Sequence, residues 1–301
     1  MAVTVDELRQ RLTCGALVLD GATGTELERR GAGYAAPLWS AAALRQAPEV
    51  VEAIHRDYLA AGADLLVADT FRTNPRTLKH AGWDAQGVEL NRLAVELARR
   101  AASGADRQVL VAASVAPVED CYEPQRVPDD ATLRAEHGEL VDWLMAAEPD
   151  LIWIETMNTV REARVAAEAA ASRGLPLAVS FVVQESGDLL SGEPLEAAVA
   201  AVAPFDPVVV GLNCIPPRGL SVLLPRLRRA TGRPLAAYAH INNAVPIRGW
   251  SYGPAVSPAE YGGYVRPGLE LGAVVVGGCC GTTPAHIEAV RVVVDEFVAR
   301  V

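Results

Sequence analysis

The stretch LIWIETMNTVREARVAAEAAASRGLPLAVSFVV, residues 151–183, decides the fold. It opens with an uninterrupted apolar run at Leu151–Thr156, which is typical of a parallel strand that is covered on both faces. A segment with helical composition follows at Val160–Arg173 and stops at Gly174, a residue that commonly ends helices. A second apolar run at Leu177–Val183 completes a strand–helix–strand unit. This unit predicts two parallel strands joined by a crossover helix.

The same alternation runs through the whole chain and predicts eight parallel strands. Helical segments fill the gaps, for example at Glu49–Ala61, Gln86–Ala102 and Leu195–Val202. Strand and helix repeated eight times in 301 residues are typical of an α/β protein with a closed (β/α)8 TIM-type barrel. No low-complexity linker or composition break divides the chain, so we predict one barrel domain over residues 1–301. The predicted strands are Ala16–Asp20, Asp64–Thr70, Val109–Ser114, Leu151–Thr156, Leu177–Val183, Val208–Cys214, Leu235–Ala239 and Ala273–Gly277.

A doubly wound open sheet is the main alternative, because it uses the same alternation of strands and helices. Such sheets often carry a G-x-G-x-x-G motif after the first strand to bind a dinucleotide. Here Gly21 and Gly24 lie in GATGTE, which does not match that motif. The closed barrel is therefore the preferred architecture.

The composition excludes several classes of protein. Lys and Arg total 27 against 37 Asp and Glu, and no basic block stands out, which argues against a nucleic-acid partner. The first residues carry scattered charges, with Thr4 and Glu7 spaced as a helix capping box, and do not resemble a signal peptide. No stretch reaches the roughly 18 apolar residues of a membrane span. Five cysteines, two of them adjacent, indicate reduced thiols in a cytoplasmic protein rather than a disulfide framework.

Polar residues collect at the carboxyl ends of the predicted strands, which is where barrel enzymes assemble their active sites. Two long loops rich in Pro and Gly, Val115–Asp130 and Ile241–Ser257, follow the third and seventh strands and are predicted to cover a substrate. The polar residues at strand ends are Asp20, Asp69, Thr70, Ser114, Glu155, Asn213, Cys214, Cys279 and Cys280.

Three of the cysteines form a candidate metal site. Cys214 follows the sixth strand, and Cys279 and Cys280 follow the eighth in the segment GGCCG. Three thiolates at the barrel mouth could hold zinc at about 2.3 Å per sulfur and leave a fourth tetrahedral position open. The flanking glycines permit the sharp turns that two adjacent ligands need. The alternative is a buried cysteine and a chance cysteine pair, since this is not a C-x-x-C signature.

Asp20 and Glu155 each admit two interpretations. Glu155 ends an apolar run and is costly to bury without a partner, so it could accept hydrogen bonds from a substrate ammonium or pair with Arg161. Asp20 could bind the same substrate or cap the glycine-rich turn that follows it. Thr283 and Pro284 fit the N-cap and first position of the last helix, whose N-terminus could also bind an anion.

One histidine differs from the others. His240 follows the seventh strand, between the strands that carry the cysteines, and could occupy the fourth zinc position when substrate is absent. The alternative is a loop histidine in contact with solvent only. The remaining histidines have no ligand spacing and are interpreted as packing or surface residues: His55, His80, His137 and His286.

These residues together resemble the homocysteine S-methyltransferase family, in the family's order and over nearly the whole chain. The combination of an upstream Asn-Cys with Gly-Gly-Cys-Cys-Gly is highly specific. The matching segments are Asp20-Gly-Ala-Thr-Gly-Thr-Glu26, Ala68-Asp-Thr-Phe-Arg-Thr-Asn74, Glu155-Thr156, Ser191-Gly-Glu-Pro194, Gly211-Leu-Asn-Cys214 and Gly277-Gly-Cys-Cys-Gly-Thr-Thr-Pro-Ala-His-Ile287.

The resemblance implies a single (β/α)8 barrel that binds zinc through Cys214, Cys279 and Cys280, which are then the catalytic residues. It implies that Asp20 and Glu155 bind the amino-acid part of homocysteine. Because they end neighbouring strands, we also predict substrate-binding roles for Thr70, Ser114 and Asn213. Zinc deprotonates a coordinating thiol, and the thiolate then attacks an activated methyl group to give methionine.

One departure from the family pattern concerns the methyl donor. The family often carries Tyr-Pro-Asn after the seventh strand, whereas here Tyr238 is followed by Ala239 and His240. With no cobalamin or folate module in 301 residues, a sulfonium donor is expected, either S-methylmethionine or S-adenosylmethionine. Another thiol or a selenol could replace homocysteine as the acceptor. The sequence does not show whether Cys14 and Cys121 have a function, and an ordinary structural interpretation suits both.

Two other functions were weighed. A zinc hydrolase on the same barrel would use metal-bound water, but three thiolates donate much charge to zinc and make it a poor activator of water. A protein that binds a thiol or a metal without turnover could also keep this scaffold. The methyltransferase accounts for the largest number of the residues.

Overall fold

The computed structural model describes residues 4–33, 36–242 and 255–300. Within these ranges, eight parallel strands pair in the order β1-β8-β7-β6-β5-β4-β3-β2. A parallel bridge between Leu19 and Leu65 joins the two edge strands, so the sheet closes into a barrel. The strands are β1 (Leu17–Val18), β2 (Leu65–Ala68), β3 (Leu110–Val115), β4 (Leu151–Met157), β5 (Leu177–Phe181), β6 (Val209–Asn213), β7 (Leu235–Ala239) and β8 (Ala273–Gly278).

Helices connect the strands and cover the outside of the barrel. The α-helices are α1 (Val5–Thr13), α2 (Thr23–Arg29), α3 (Ala43–Gln46), α4 (Pro48–Ala60), α5 (Pro75–His80), α6 (Gly87–Ala102), α7 (Asp130–Met145), α8 (Val160–Ala171), α9 (Leu195–Val202), α10 (Leu220–Ala230), α11 (Pro258–Glu270) and α12 (Pro284–Val298). Short 3-10 helices lie at Trp39–Ala42, Asp84–Gln86, Pro124–Arg126, Ala203–Phe205 and Pro217–Gly219.

The predicted (β/α)8 barrel is confirmed, and so are all eight predicted strands. The first strand is shorter than expected, because regular pairing with β8 extends only over Leu17 and Val18. The predicted capping box at Thr4 and Glu7 is present at the start of α1. The long loop predicted at Ile241–Ser257 lies mostly outside the described residues. Within the part of the chain that is described, no helix is both long and apolar enough to cross a membrane.

The barrel has two apolar layers, as alternating side chains on a closed sheet require. One set points inward and forms a cluster that includes Leu19, Leu65 and Trp153. Leu8 and Leu12 of α1 belong to the same cluster. The other set points outward and packs against the surrounding helices. The closed sheet places the carboxyl ends of all eight strands around one opening.

The seam between β1 and β8 depends on a glycine. A Cβ atom built on Gly277 would lie 2.5 Å from Leu19 Cβ and 2.6 Å from Leu19 O, closer than real Cβ atoms approach such neighbours. The two strands therefore approach each other at a distance that only glycine permits.

We predict that Gly277→Ala destabilises the protein by about 1–3 kcal/mol, because the added methyl group overpacks the seam. The midpoint of urea unfolding measures the effect. Gly263→Ala is the matched control: Gly263 lies within α11 with nothing within 4 Å of its added Cβ, so alanine should be neutral or stabilising there. Equal midpoints for the two variants would contradict this account of the seam.

Candidate active site

A cavity of about 790 Å³ opens at the carboxyl ends of the strands. Seven of the nine polar residues that the sequence predicts at strand ends line it: Asp20, Asp69, Ser114, Glu155, Cys214, Cys279 and Cys280. The loop after β3, which the sequence analysis predicted to cover a substrate, lines the same cavity from Val118 to Arg126. Thr70 and Asn213 are buried behind it and are not part of its lining.

The three cysteine sulfurs meet at one side of this cavity. The ligand atoms of Cys214, Cys279 and Cys280 all lie within 4.8 Å of one another. The Cys280 sulfur is 3.7 Å from that of Cys214 and 3.9 Å from that of Cys279. The Cys214 and Cys279 sulfurs are bonded to each other as a disulfide. Metal binding requires both as thiolates, so the metal-binding state is the one in which this bond is reduced.

The sulfur separations fit a tetrahedral metal site. A Zn–S bond of about 2.3 Å places two tetrahedral ligands about 3.8 Å apart. The two distances from Cys280 match that value, and soft thiolates are the donors that zinc and similar ions prefer. Burial raises the pKa of the Cys280 thiol, so a cation is needed to keep it ionised at neutral pH. The cluster is therefore able to hold a metal ion.

The backbone turns sharply where these cysteines leave their strands. Cys214 has a φ of 51°, in the left-handed region that residues with a side chain rarely adopt. Its N–H donates to the Tyr238 carbonyl of β7 at 3.3 Å. On β8, the Cys279 N–H donates to the Ala239 carbonyl at 2.8 Å, and Gly281 turns the chain with a φ of 79°. Backbone hydrogen bonds to β7 therefore fix the positions of both Cys214 and Cys279.

Asp20 is a buried carboxylate without a cationic partner in the described chain. Its Oδ2 accepts a hydrogen bond from the Val67 N–H at 2.9 Å. The His55 ring lies 3.9 Å away, but burial lowers the pKa of His55 to about 4, so this ring is neutral. Burial, and then the nearby Glu155, raise the pKa of Asp20 well above its usual range. An added cation at this place would favour the ionised form.

Glu155 is also a buried carboxylate without a cationic partner in the described chain, and it lines the same cavity. Its Oε1 accepts from the Ser114 hydroxyl at 2.5 Å, and its Oε2 accepts from the Tyr238 hydroxyl at 3.2 Å. Both donors are neutral, and burial raises the pKa of Glu155. The alternative partner Arg161 is not used, since its guanidinium contacts Asp130 instead. Two buried carboxylates in one cavity, neither with a cationic partner among the described residues, suit a bound ammonium group.

Three residues were predicted from the sequence to bind substrate, and they lie at different distances from the cavity surface. Ser114 lines the cavity and donates to Glu155 directly. Thr70 donates its hydroxyl to the Ser114 carbonyl at 2.8 Å and so supports that strand end from behind. Asn213 is fully buried, and its side chain bonds both the N–H and the hydroxyl of Thr156, at 3.0 and 2.8 Å. Thr70 and Asn213 therefore position residues that face the cavity.

The Asn213 contact joins two strained positions. Thr156 also has a left-handed backbone, with a φ of 59°, directly after Glu155. Asn213 itself precedes Cys214. The Asn213 side chain thus stabilises the turn that follows Glu155, and Asn213 itself lies next to the turn at Cys214.

His240 is buried, and the structure does not bring it into the sulfur cluster. Its Nδ1 accepts a hydrogen bond from the Asn242 N–H at 3.0 Å. Among the described residues, the side chains with mutually close metal-ligand atoms are the three cysteines alone. The role of His240 as a displaceable fourth ligand stays a prediction. Thr283 opens α12 with a capping box completed by His286, as its structural interpretation required.

Several residues that face the cavity were missed as site residues from the sequence. Tyr238 binds Glu155 across two intervening strands, a contact for which no local pattern gives a signal. Asp69 was placed at a strand end but given no role. Trp39, Cys121 and Tyr122 also line the cavity. Cys121 and Tyr122 belong to the loop that is predicted to cover a substrate, but the sequence predicted no site role for any of these three residues.

Comparison with known proteins agrees with this geometry. The family model for homocysteine S-methyltransferase matches residues 17–294. The homocysteine S-methyltransferase of Escherichia coli (strain K12) is 33% identical, over 91% of this chain and 94% of its own length. The selenocysteine methyltransferase of Astragalus bisulcatus is 30% identical, over 91% of both chains.

A solved structure agrees in fold as well as in sequence. The metallated form of the homocysteine methyltransferase MmuM from Escherichia coli superposes with a TM-score of 0.81 at 32% identity, over 92% of this chain and 96% of that one. The family model extends over all eight strands and the three cysteines. The chain therefore belongs to the homocysteine S-methyltransferase family.

Proposed function

We propose that this protein transfers a methyl group from an activated donor to the thiol of homocysteine, or of a related thiol or selenol, and that the product formed from homocysteine is methionine. One observation carries the proposal: three cysteine sulfurs and two uncompensated buried carboxylates line a single cavity. The sulfurs suit activation of a thiol, and the carboxylates suit the ammonium group of an amino acid. Relatives that act on homocysteine and on selenocysteine support both acceptors.

We propose zinc as the metal and Cys214, Cys279 and Cys280 as its ligands. Zinc, when bound, deprotonates a thiol that coordinates it, which turns the thiol into a nucleophile at neutral pH. Three protein ligands leave one tetrahedral position for that thiol. Because all three ligands must stay reduced, a cytoplasmic location suits the protein.

Asp20 and Glu155 orient the acceptor. Both lie in the same cavity as the sulfurs, and each is held by neutral hydrogen-bond donors that fix its direction without neutralising its charge. An ammonium group bound between them satisfies both carboxylates and places the acceptor's sulfur at a fixed distance along its side chain. Ser114 and Tyr238 therefore act as positioning residues for Glu155.

The donor occupies the remainder of the cavity. Displacement at a methyl carbon requires the leaving group to depart on the side away from the nucleophile. The donor therefore lies on the far side of the acceptor's sulfur, in a cavity that is also lined by the aromatic side chains of Trp39 and Tyr122. A sulfonium compound, S-methylmethionine or S-adenosylmethionine, suits this place, since aromatic faces attract cations.

The proposal is tested by supplying purified, reduced protein with zinc, homocysteine and each sulfonium donor. We expect methionine to form with the wild type, and Cys279→Ser to lose zinc and to reduce turnover by about a hundredfold or more, because a hydroxyl is a poor zinc ligand. Zinc content and methionine are measured on the same samples. Cys14→Ser is the control, since Cys14 is exposed and lies outside the cavity. A full equivalent of zinc in the Cys279→Ser protein would refute the three-cysteine site.

A second prediction concerns Asn213. Asn213→Ala leaves the buried Thr156 N–H without its partner and should destabilise the protein by about 1–3 kcal/mol. It should also weaken zinc binding about tenfold or more, because residues behind metal ligands orient them. Asn91→Ala is a matched control: Asn91 is equally buried and bonds Thr73 and Gly87 away from the cysteines. Unfolding midpoints and competitive zinc titrations separate the two effects, and equal zinc affinity in both variants would argue against the role of Asn213.

A third prediction tests His240. If this ring completes the metal site when acceptor is absent, His240→Ala keeps its metal but changes the absorption spectrum of the cobalt-substituted protein. The change should vanish once homocysteine is added, because the thiol then occupies the same position. Identical spectra for the variant and the wild type without homocysteine would exclude the role.

A further inference from the structure

Asp69 is a third buried carboxylate in the cavity, and neither the metal site nor the acceptor site uses it. It follows β2, is 4% exposed and lines the cavity. Its Oδ2 is buried and has no hydrogen-bond partner within the described residues. Burial raises its pKa to about 6, an effect that the Ser40 hydroxyl partly offsets, so the ionised form predominates at neutral pH. A buried carboxylate oxygen without a partner is costly, which points to a ligand that completes it.

The barrel places Asp69 opposite Cys214 across the mouth. In the closed strand order, β2 is four strands from β6 in either direction, so Asp69 faces Cys214 across the opening. Glu155 raises the pKa of Asp20, whereas burial and the Ser40 hydroxyl are the causes that shift the pKa of Asp69. Asp69 thus lies across the cavity from Cys214, where the leaving group of an in-line displacement has room.

An unpaired cation lies close by in sequence on the same segment. Arg72 lines the cavity, and its Nη1 donates to the Glu119 carbonyl at 3.3 Å. In the described chain no carboxylate lies within 4 Å of its guanidinium, whereas Arg76 and Arg126, which also line the cavity, both form ion pairs with Glu119. One carboxylate and one guanidinium without ionic partners match the two charges of an α-amino acid.

We propose, on the basis of the function proposed above, that Asp69 and Arg72 form the subsite for the α-amino-acid end of the methyl donor. Asp69 accepts hydrogen bonds from the donor's ammonium, and Arg72 binds its carboxylate. These residues make the enzyme select donors that carry an amino-acid group over simpler sulfonium compounds.

The ammonium is a better partner for Asp69 than the reacting sulfonium. The sulfonium charge disappears as the methyl group leaves, so a carboxylate bound to it would favour the substrate over the transition state and slow the reaction. The ammonium keeps its charge throughout. Its interaction with Asp69 therefore strengthens substrate and transition-state binding equally, which lowers KM and leaves kcat unchanged.

The test compares Asp69→Asn and Asp69→Ala with the wild type, using two sulfonium probes. S-methylmethionine carries the amino group, and dimethylsulfoniopropionate has the sulfonium and the carboxylate but no amino group. We expect both variants to raise Kd and KM for S-methylmethionine by about 10- to 100-fold, with kcat, zinc content and the KM for homocysteine within about twofold of the wild type. The affinity for dimethylsulfoniopropionate, measured by calorimetry, should change less than about twofold. Arg72→Gln should weaken both probes, because both have a carboxylate.

A stability measurement separates a ligand-binding role from a structural one. Removing a buried charge that has no cationic partner among the described residues should leave the Tm of the ligand-free protein unchanged or higher. Asp150→Asn is the matched control: Asp150 is equally buried, but it is paired with Arg99 and accepts from the Val111 N–H, so its loss should lower Tm. A lower Tm for Asp69→Asn, with equal loss of affinity for both probes, would overturn the proposal.

Calorimetry also distinguishes this proposal from the proposed function. If the wild type binds S-methylmethionine through Asp69 but forms no methionine from homocysteine, the subsite stands and the acceptor assignment fails. If the wild type forms methionine, and Asp69→Asn binds S-methylmethionine as tightly as the wild type does, the subsite fails and the function stands. Failure of the wild type to bind S-methylmethionine would also overturn the subsite.

Discussion

Closure of a parallel sheet is the constraint on which the rest of this molecule depends. Cys214 and Cys279 are separated by 65 residues, and their sulfurs meet because β6 and β8 run in the same direction around one barrel. The turn after β1 already lies next to β8, because those two strands pair, and the bridge between Leu19 and Leu65 completes the circle by joining β1 to β2. Without closure, Asp20 and Asp69 would lie at opposite edges of an open sheet, and no common cavity would exist.

The buried carboxylates of the cavity differ from two others in the described chain. Outside the cavity, Glu26 binds Arg29 and Arg30, and Asp150 binds Arg99. Inside the cavity, Asp20, Glu155 and Asp69 have only neutral donors among the described residues. Burial raises the pKa of each of these three carboxyl groups. The folded protein therefore carries an electrostatic cost that a cationic ligand relieves, which is how a site acquires affinity for an amino acid.

Neutral hydrogen bonds keep these charges in place. Tyr238 binds Glu155 with its hydroxyl, while its ring lies edge-on to Trp153 in the barrel interior, with centroids 5.7 Å apart. Asn213 holds Thr156 in a left-handed conformation that the chain would not adopt alone. The site is thus rigid because its supporting residues are packed in the core, and a change at one of them should alter both stability and binding.

The amino-acid sequence by itself determined the eight strands, the barrel and the cysteines that share a site, because apolar periodicity and chain order are local properties and the strands all end at one opening. It also indicated Asp20 and Glu155, since a carboxylate that ends an apolar run is exceptional. Only the tertiary structure decided which side chains contact one another across the mouth: Tyr238 with Glu155, Asn213 with Thr156, and Asp69 with no cationic partner in the described chain. Those contacts join residues from different strands, so strand register and side-chain direction decide them, and neither can be read from a single segment.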